Sequence, residues 1–161
     1  LQPQQVLLNL MINATDAMEN NTGEKRLTLF AGPASEAPLP FTPPPEHADA
    51  KPSDYVFIQV ADNGCGMSEA IRRKLFEPFF TTKPVGRGTG MGLAMVYGTV
   101  TNHQGWIQLE TAPGKGSNFC LFLPRGGALA AAVVSGGACV LWAAVSGVVL
   151  FRHLAGKIRQ A

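Results

Sequence analysis

The chain has 161 residues, 46% of them apolar and 15% charged, with a formal net charge of +2. That length supports one domain with a modest core, and so weak and unclustered a positive charge excludes a nucleic-acid-binding surface. The three cysteines, Cys65, Cys120 and Cys139, are far apart and form no C-x-x-C pair, which excludes a cysteine zinc site or disulfide scaffold and suits a reducing compartment.

The opening LQPQQVLLNL has no basic region before an apolar run, so it does not read as a signal peptide. Residues 4–19 are predicted helical. Leu7, Leu10, Met11, Ala14, Ala17 and Met18 recur at spacings of three and four, with Asn9, Asn13, Asp16 and Asn20 on the opposite face. Gly23 closes that helix, and RLTLFAG (26–32) alternates as a strand. Residues 33–54 contain seven prolines and few large apolar side chains, a pattern that predicts a loose loop or disordered insertion. YVFIQVAD (55–62) reads as a central strand. Ser68 can cap a short helix, EAIRRKLF. EPFFTTKPVGRGTGMGL is rich in breakers and reads as loop. LAMVYGTVTNH (93–103) is helical, with Leu93, Val96, Tyr97 and Val100 on one face. GWIQLET and SNFCLFLP flank an A-P-G-K-G turn as a hairpin. Helices layered on one face of a mixed sheet follow from this order.

Three stretches point to chemistry. Asn9 and Asn13 lie one helical turn apart, and amide oxygens are hard ligands suited to Mg²⁺ shared with phosphate. The plainer reading is a solvent-facing polar stripe. In D-N-G-C-G-M, Asp62 ends a buried strand where it could accept a hydrogen bond from an exocyclic amine such as that of adenine. Gly64 and Gly66 let backbone approach a flat ring, although a D-N-G turn explains the same residues. In G-R-G-T-G-M-G-L, alternating glycines lead into a helix whose first N–H groups could bind an anion. No Lys-Ser/Thr follows, so it is not a Walker loop, and no strand precedes it, so it is not a dinucleotide fingerprint.

Taken in order, N-L-M-I-N-A-T-D-A-M, D-N-G-C-G-M, F-E-P-F-F-T-T-K, G-R-G-T-G-M-G-L and G-K-G-S-N-F resemble the ATP-binding catalytic domain of sensor histidine kinases. They look like that family's N box, first glycine box, F box, second glycine box and third glycine region. The resemblance covers about residues 2–124 and implies an α+β, two-layer α/β sandwich of the Bergerat type, with ATP between sheet and helices under a lid. It implies Asn13 as Mg²⁺ ligand with Asn9 beside the phosphates, Asp62 on the adenine amine, and Gly64 and Gly66 beside the base. Thr82 and Lys83 would face the phosphates. Gly88, Gly90, Met91, Gly92 and Leu93 belong to the second glycine box, and Ser117 stands where the family usually has Thr. Hydrolases of the wider superfamily carry a Glu general base four residues before the Asn. Here that position is Asn9, which cannot take a proton at neutral pH and so favours phosphoryl transfer over hydrolysis. A superfamily ATPase or a degenerate interaction module are the alternatives.

The family implies two partners, a histidine-containing dimerisation domain and a response-regulator receiver domain, in a homodimeric bacterial protein whose catalytic domain is cytoplasmic. The acceptor histidine should precede the N box, and His47, His103 and His153 lack its context. The family's first strand and helix are also missing, so an N-terminally truncated fold is expected, with one sheet edge or helix face uncovered. The expected domain organisation is a catalytic domain at 1–124 (Pro-rich insertion at 33–54) and a hydrophobic tail at 125–161. From Gly126 to Phe151 there is no charged residue. Such a run is long enough to cross a bilayer as one helix, making 126–151 a candidate membrane span that could anchor the domain to the inner membrane. The plainer alternatives are a buried helix or the aberrant C-terminus of a truncated gene.

Overall fold

A computed structural model of the protein describes residues 3–84, 88–135 and 148–154. Helix α1 (Pro3–Ala17) opens on a proline, a position where the missing N–H would have had no intrahelical partner anyway. Its three-and-four pattern buries Val6, Leu7, Leu10 and Ala14, and Met18 follows into the same core. Strand β1 (Lys25–Pro33) and strand β2 (Tyr55–Asp62) pair antiparallel. Helix α2 (Glu69–Lys74) starts at Ser68, whose Oγ accepts from Ile71 N at 3.4 Å as its cap. Helix α3 (Gly92–Asn102) leads to the hairpin of β3 (Trp106–Thr111) and β4 (Ser117–Pro124). These spans follow the predicted elements closely. One side chain departs: Tyr97 is exposed and stacks on Phe76, while Val96, Thr99 and Val100 form the buried face of α3.

The period-2 pattern of the strands builds two different faces. In register, Leu29 lies beside Val60, Val60 beside Phe119 and Phe119 beside Leu109. One residue pair along, Ala31, Ile58, Leu121 and Ile107 repeat the row. This face meets α1, α3 and Leu129 in the main core. The opposite face carries Phe57, Phe122, Trp106 and Cys120. The 33–54 segment covers it and is not loose. It forms three short 3₁₀ turns, at Ala34–Glu36, Pro45–His47 and Pro52–Asp54. Leu39 is buried there, Phe41 contacts Tyr55, Trp106 and Phe122 edge-on or tilted, and His47 stacks on Trp106. The prolines that suggested disorder instead fix φ for these turns, and two large apolar side chains suffice to anchor the strap.

The candidate span 126–151 lies in large part outside the described residues, at 136–147. The tail holds α4 (Ala128–Ser135) and strand β5 (Val148–Leu154). β5 pairs in parallel with β1, from Lys25 opposite Val148 to Ala31 opposite Leu154, giving the sheet order β3-β4-β2-β1-β5. The V-V-L-F run has high strand preference, and β1 offers it an edge of unpaired N–H and C=O groups. Among the described residues, no helix is long and apolar enough to cross a membrane.

Candidate functional site

A cleft of about 680 Å³ opens between α1, the ends of β2 and β4, and the N-terminus of α3. Sheet register sets two of its lining residues, Asp62 and Ser117, with Thr111 supporting them from outside the lining. Asp62 is opposite Ser117, and Ser117 is opposite Thr111, so three polar side chains form one row at the end of the core-facing side. Thr111 Oγ1 lies 3.2 Å from Ser117 Oγ, donates to Gly116 O at 2.8 Å and accepts from Met67 N at 3.0 Å. Thr111 thereby fixes the loop after β2 against the hairpin turn. Sequence reading missed this residue; the available signal was its place opposite Ser117 across the A-P-G-K-G turn.

Asp62 is held by the turn that follows it. Its Oδ1 accepts from Gly64 N at 2.8 Å. Burial raises its pKa above the ordinary aspartate value, and backbone N–H groups of Gly64 and Ser117 partly oppose that shift. Asn63 points away and staples the loop: its Nδ2 donates to Glu24 O and its Oδ1 accepts from Arg26 N, both at 2.8 Å. Gly64 is a packing residue outside the cleft lining, because a Cβ there would meet Ala17 O at 2.6 Å. Gly66 lines the cleft with φ of 65°, and a Cβ would meet Ala112 O at 2.0 Å. Both conditions require glycine. The exposed thiol of Cys65 also lines the cleft.

On the α1 wall, Asn9 Nδ2 donates to Gly92 O at 3.3 Å, tying α1 to the start of α3. Asn13 Oδ1 accepts from Lys83 Nζ at 3.2 Å. Lys83 also pairs with the Asp16 carboxylate. Asp16 lines the cleft yet was not among the site residues inferred from sequence; its signal was the polar stripe it shares with Asn13. Thr82, Lys83, Gly88 and Gly90 close one side, with Gly92 and Leu93 at the head of α3. Phe79, with φ of 66°, donates its N–H to Gly90 O at 3.0 Å and so ties the E-P-F-F stretch to the glycines before α3. Met91 is the N-cap residue of α3, outside the cleft lining. The first N–H groups of α3 have no intrahelical acceptor and make an anion-binding end.

The arrangement can do three things chemically. A half-buried carboxylate can accept from an amine at one end. An ammonium and a helix N-terminus can hold anionic groups at the other. Asn13 Oδ1 is a hard oxygen of the kind Mg²⁺ takes, and its contact with the Lys83 ammonium at 3.2 Å is compatible with a cation at that point.

The family model for histidine kinase-, DNA gyrase B-, and HSP90-like ATPases matches residues 1–127. Sensor kinase CckA of Brucella abortus (strain 2308) is 43% identical over 124 residues, covering 77% of this chain and 12% of that protein. The chain therefore spans about an eighth of that relative's length. Among solved structures, the catalytic domain of histidine kinase ThkA is similar at a TM-score of 0.52 and 29% identity, over 74% of this chain and 64% of that one. Full-length ShkA, solved in complex with AMPPNP, is similar at a TM-score of 0.54 and 27% identity, over 74% of this chain and 20% of that one.

Proposed function

The chain belongs to the histidine kinase-, DNA gyrase B-, and HSP90-like ATPase family, and on that premise we propose that it binds Mg–ATP and donates the γ-phosphoryl group to a histidine on a dimerisation domain of a two-component sensor kinase. The observation that carries this reading is the convergence of Asp62, Asn13, Lys83 and the head of α3 on one cleft. Asp62 accepts from the adenine amine, with Gly66 and Ser117 beside the base. Lys83, Thr82 and the N–H groups from Gly88 to Leu93 face the phosphates. Asn13 would hold Mg²⁺, which neutralises phosphate charge when bound. AMPPNP is an ATP analogue, and its presence in ShkA supports the same ligand class here.

Phosphoryl transfer depends on positioning and charge neutralisation more than on covalent chemistry by the protein. Asn9 favours transfer over hydrolysis: its amide has no basic site, and it is engaged as a donor to Gly92 O. The receiving histidine comes from the dimerisation domain, in a homodimer whose phosphoryl group passes on to a response-regulator receiver domain.

The test is phosphoryl transfer in trans. The chain is mixed with Mg–ATP and a separately supplied helical dimerisation domain from a related kinase. Acid-labile phosphohistidine on that domain is expected, with little free phosphate released. Rapid phosphate release without phosphohistidine would identify a hydrolase instead. Asn13→Ala should remove most of the Mg²⁺-dependent part of ATP affinity, and equal affinity in variant and parent rejects the metal assignment.

A further inference from the structure

Asp16 has no role in the reading above, yet it sits in the cleft and holds its cation. Asn13 and Asp16 are three residues apart on α1, so their oxygens share one helical face. Lys83 Nζ reaches both, donating to Asn13 Oδ1 at 3.2 Å and pairing with Asp16 Oδ2. These contacts join positions 70 and 67 residues apart in the chain. The lysine side chain is 28% exposed, so the ammonium is drawn into the cleft. A neutral amide oxygen and a carboxylate oxygen converging on one positive centre form the donor set that a small hard cation takes, the remaining positions being water or phosphate oxygen.

We propose that Asn13 and Asp16 together form a cation seat that the Lys83 ammonium and a divalent ion can each fill, the ion displacing the ammonium when Mg–ATP binds. The exchange of Lys83 for the metal rests on the nucleotide reading, whereas the seat itself does not. While the ammonium holds the seat, the Asp16 carboxylate keeps Lys83 turned toward α1. When the divalent ion arrives, it and the ammonium repel each other at this range, and Lys83 is released toward the phosphates. Asp16 is partnered in both states, first by the ammonium and then by the ion or its water shell. It is thus a positioning residue for Lys83 and a source of charge for the metal.

The seat can be read without nucleotide. Mn²⁺ binding to the full chain is followed by electron paramagnetic resonance, in the absence of ATP. Lys83→Met keeps the stem and removes the competing charge, so Mn²⁺ should bind at least fivefold more tightly than to the parent. Adding Asp16→Asn to Lys83→Met should return the affinity to the parent level or below. Equal Mn²⁺ affinity in the single and double variants overturns the seat, as does a Lys83→Met variant no tighter than the parent.

A second arm uses ATP. Asp16→Asn should tighten metal-free ATP binding about threefold, because Lys83 is released, and should shrink the stimulation by Mg²⁺. If both affinities change by one common factor, Asp16 is only structural and the proposal fails. A parent chain that binds no ATP while the Mn²⁺ arm behaves as expected overturns the nucleotide reading and leaves the seat standing. Normal ATP binding with a failed Mn²⁺ arm does the reverse.

Discussion

Asp62 stands at the end of β2, where the sequence alone left a turn and a ligand acceptor both open. An acid at the end of a buried strand, followed by two spaced glycines, suits either an acceptor presented at a sheet end or a plain D-N-G turn. Its burial has a consequence for stability. Burial raises the folded-state pKa of Asp62 above its ordinary value. The folded protein therefore holds this proton more tightly than the unfolded chain. The stabilisation from that proton is fully present below the unfolded aspartate pKa and is lost as pH rises through the folded value. Ionising the carboxylate therefore works against folding. Asp62→Asn retains an oxygen for Gly64 N and removes the charge. Its denaturation midpoint should equal or exceed that of the parent at pH 7, with the difference growing from pH 4 upward through the acid range. ATP affinity should fall about tenfold or more, the scale of a hydrogen bond to a charged acceptor. A variant with lower stability at pH 7 and parental affinity would falsify this assignment. Asp16 and Thr111 were less legible, because their partners Lys83 and Ser117 are joined to them only by the fold.

At the scale of elements, local periodicity located α1, β1, β2, α3 and the β3–β4 hairpin within a residue or two. The 33–54 segment was misread for a physical reason. Proline content argues against regular elements, but it does not argue against order, because fixed φ angles lower the entropy lost on docking. The docking surface was also invisible, since Phe41 gains its partners from β2, β3 and β4 at once. Phe41→Ala should therefore destabilise the whole domain rather than merely loosen a loop. The ring is only half-buried, so a loss of about 2 kcal/mol is expected, below the ~3–5 kcal/mol of a fully buried phenylalanine. Urea denaturation followed by far-UV circular dichroism measures it, because the whole sheet should report the loss of the Phe41 contacts with Tyr55, Trp106 and Phe122. An unchanged midpoint would mean that the strap contributes nothing to the fold. The tail was harder still. An uncharged Ala/Gly/Val run satisfies a membrane helix, a buried helix or a strand equally well in composition, and the open edge of β1 exists only once β1 and β2 have paired.

At the scale of the molecule, α1 links stability to binding. One face gives Val6, Leu10 and Ala14 to the main core, and the other gives Asn9, Asn13 and Asp16 to the cleft. Hydrophobic spacing specified the first face and a polar stripe the second, so both were readable in one fifteen-residue helix. What the stripe could not specify is that Lys83 closes over it from a distant segment. Because the two faces share one rigid element, a ligand on the cleft side should hold the core side folded. A ligand that binds only the folded state stabilises by mass action, about 2.7 kcal/mol at a hundredfold excess over its dissociation constant. For a domain of this size that amounts to a rise of several degrees in melting temperature. Mg–ATP should therefore raise the thermal midpoint of the chain, and ATP with a chelator should raise it less. Asn13→Ala should melt near the parent without ligand, because its side chain faces the cleft, and should lose the Mg²⁺-dependent increment. A variant that melts much lower without ligand would place Asn13 in the structural half of α1. A parental increment in the variant would remove the metal from that residue. The same measurement thus separates the two faces of the helix, one packed into the core and the other proposed to hold the nucleotide.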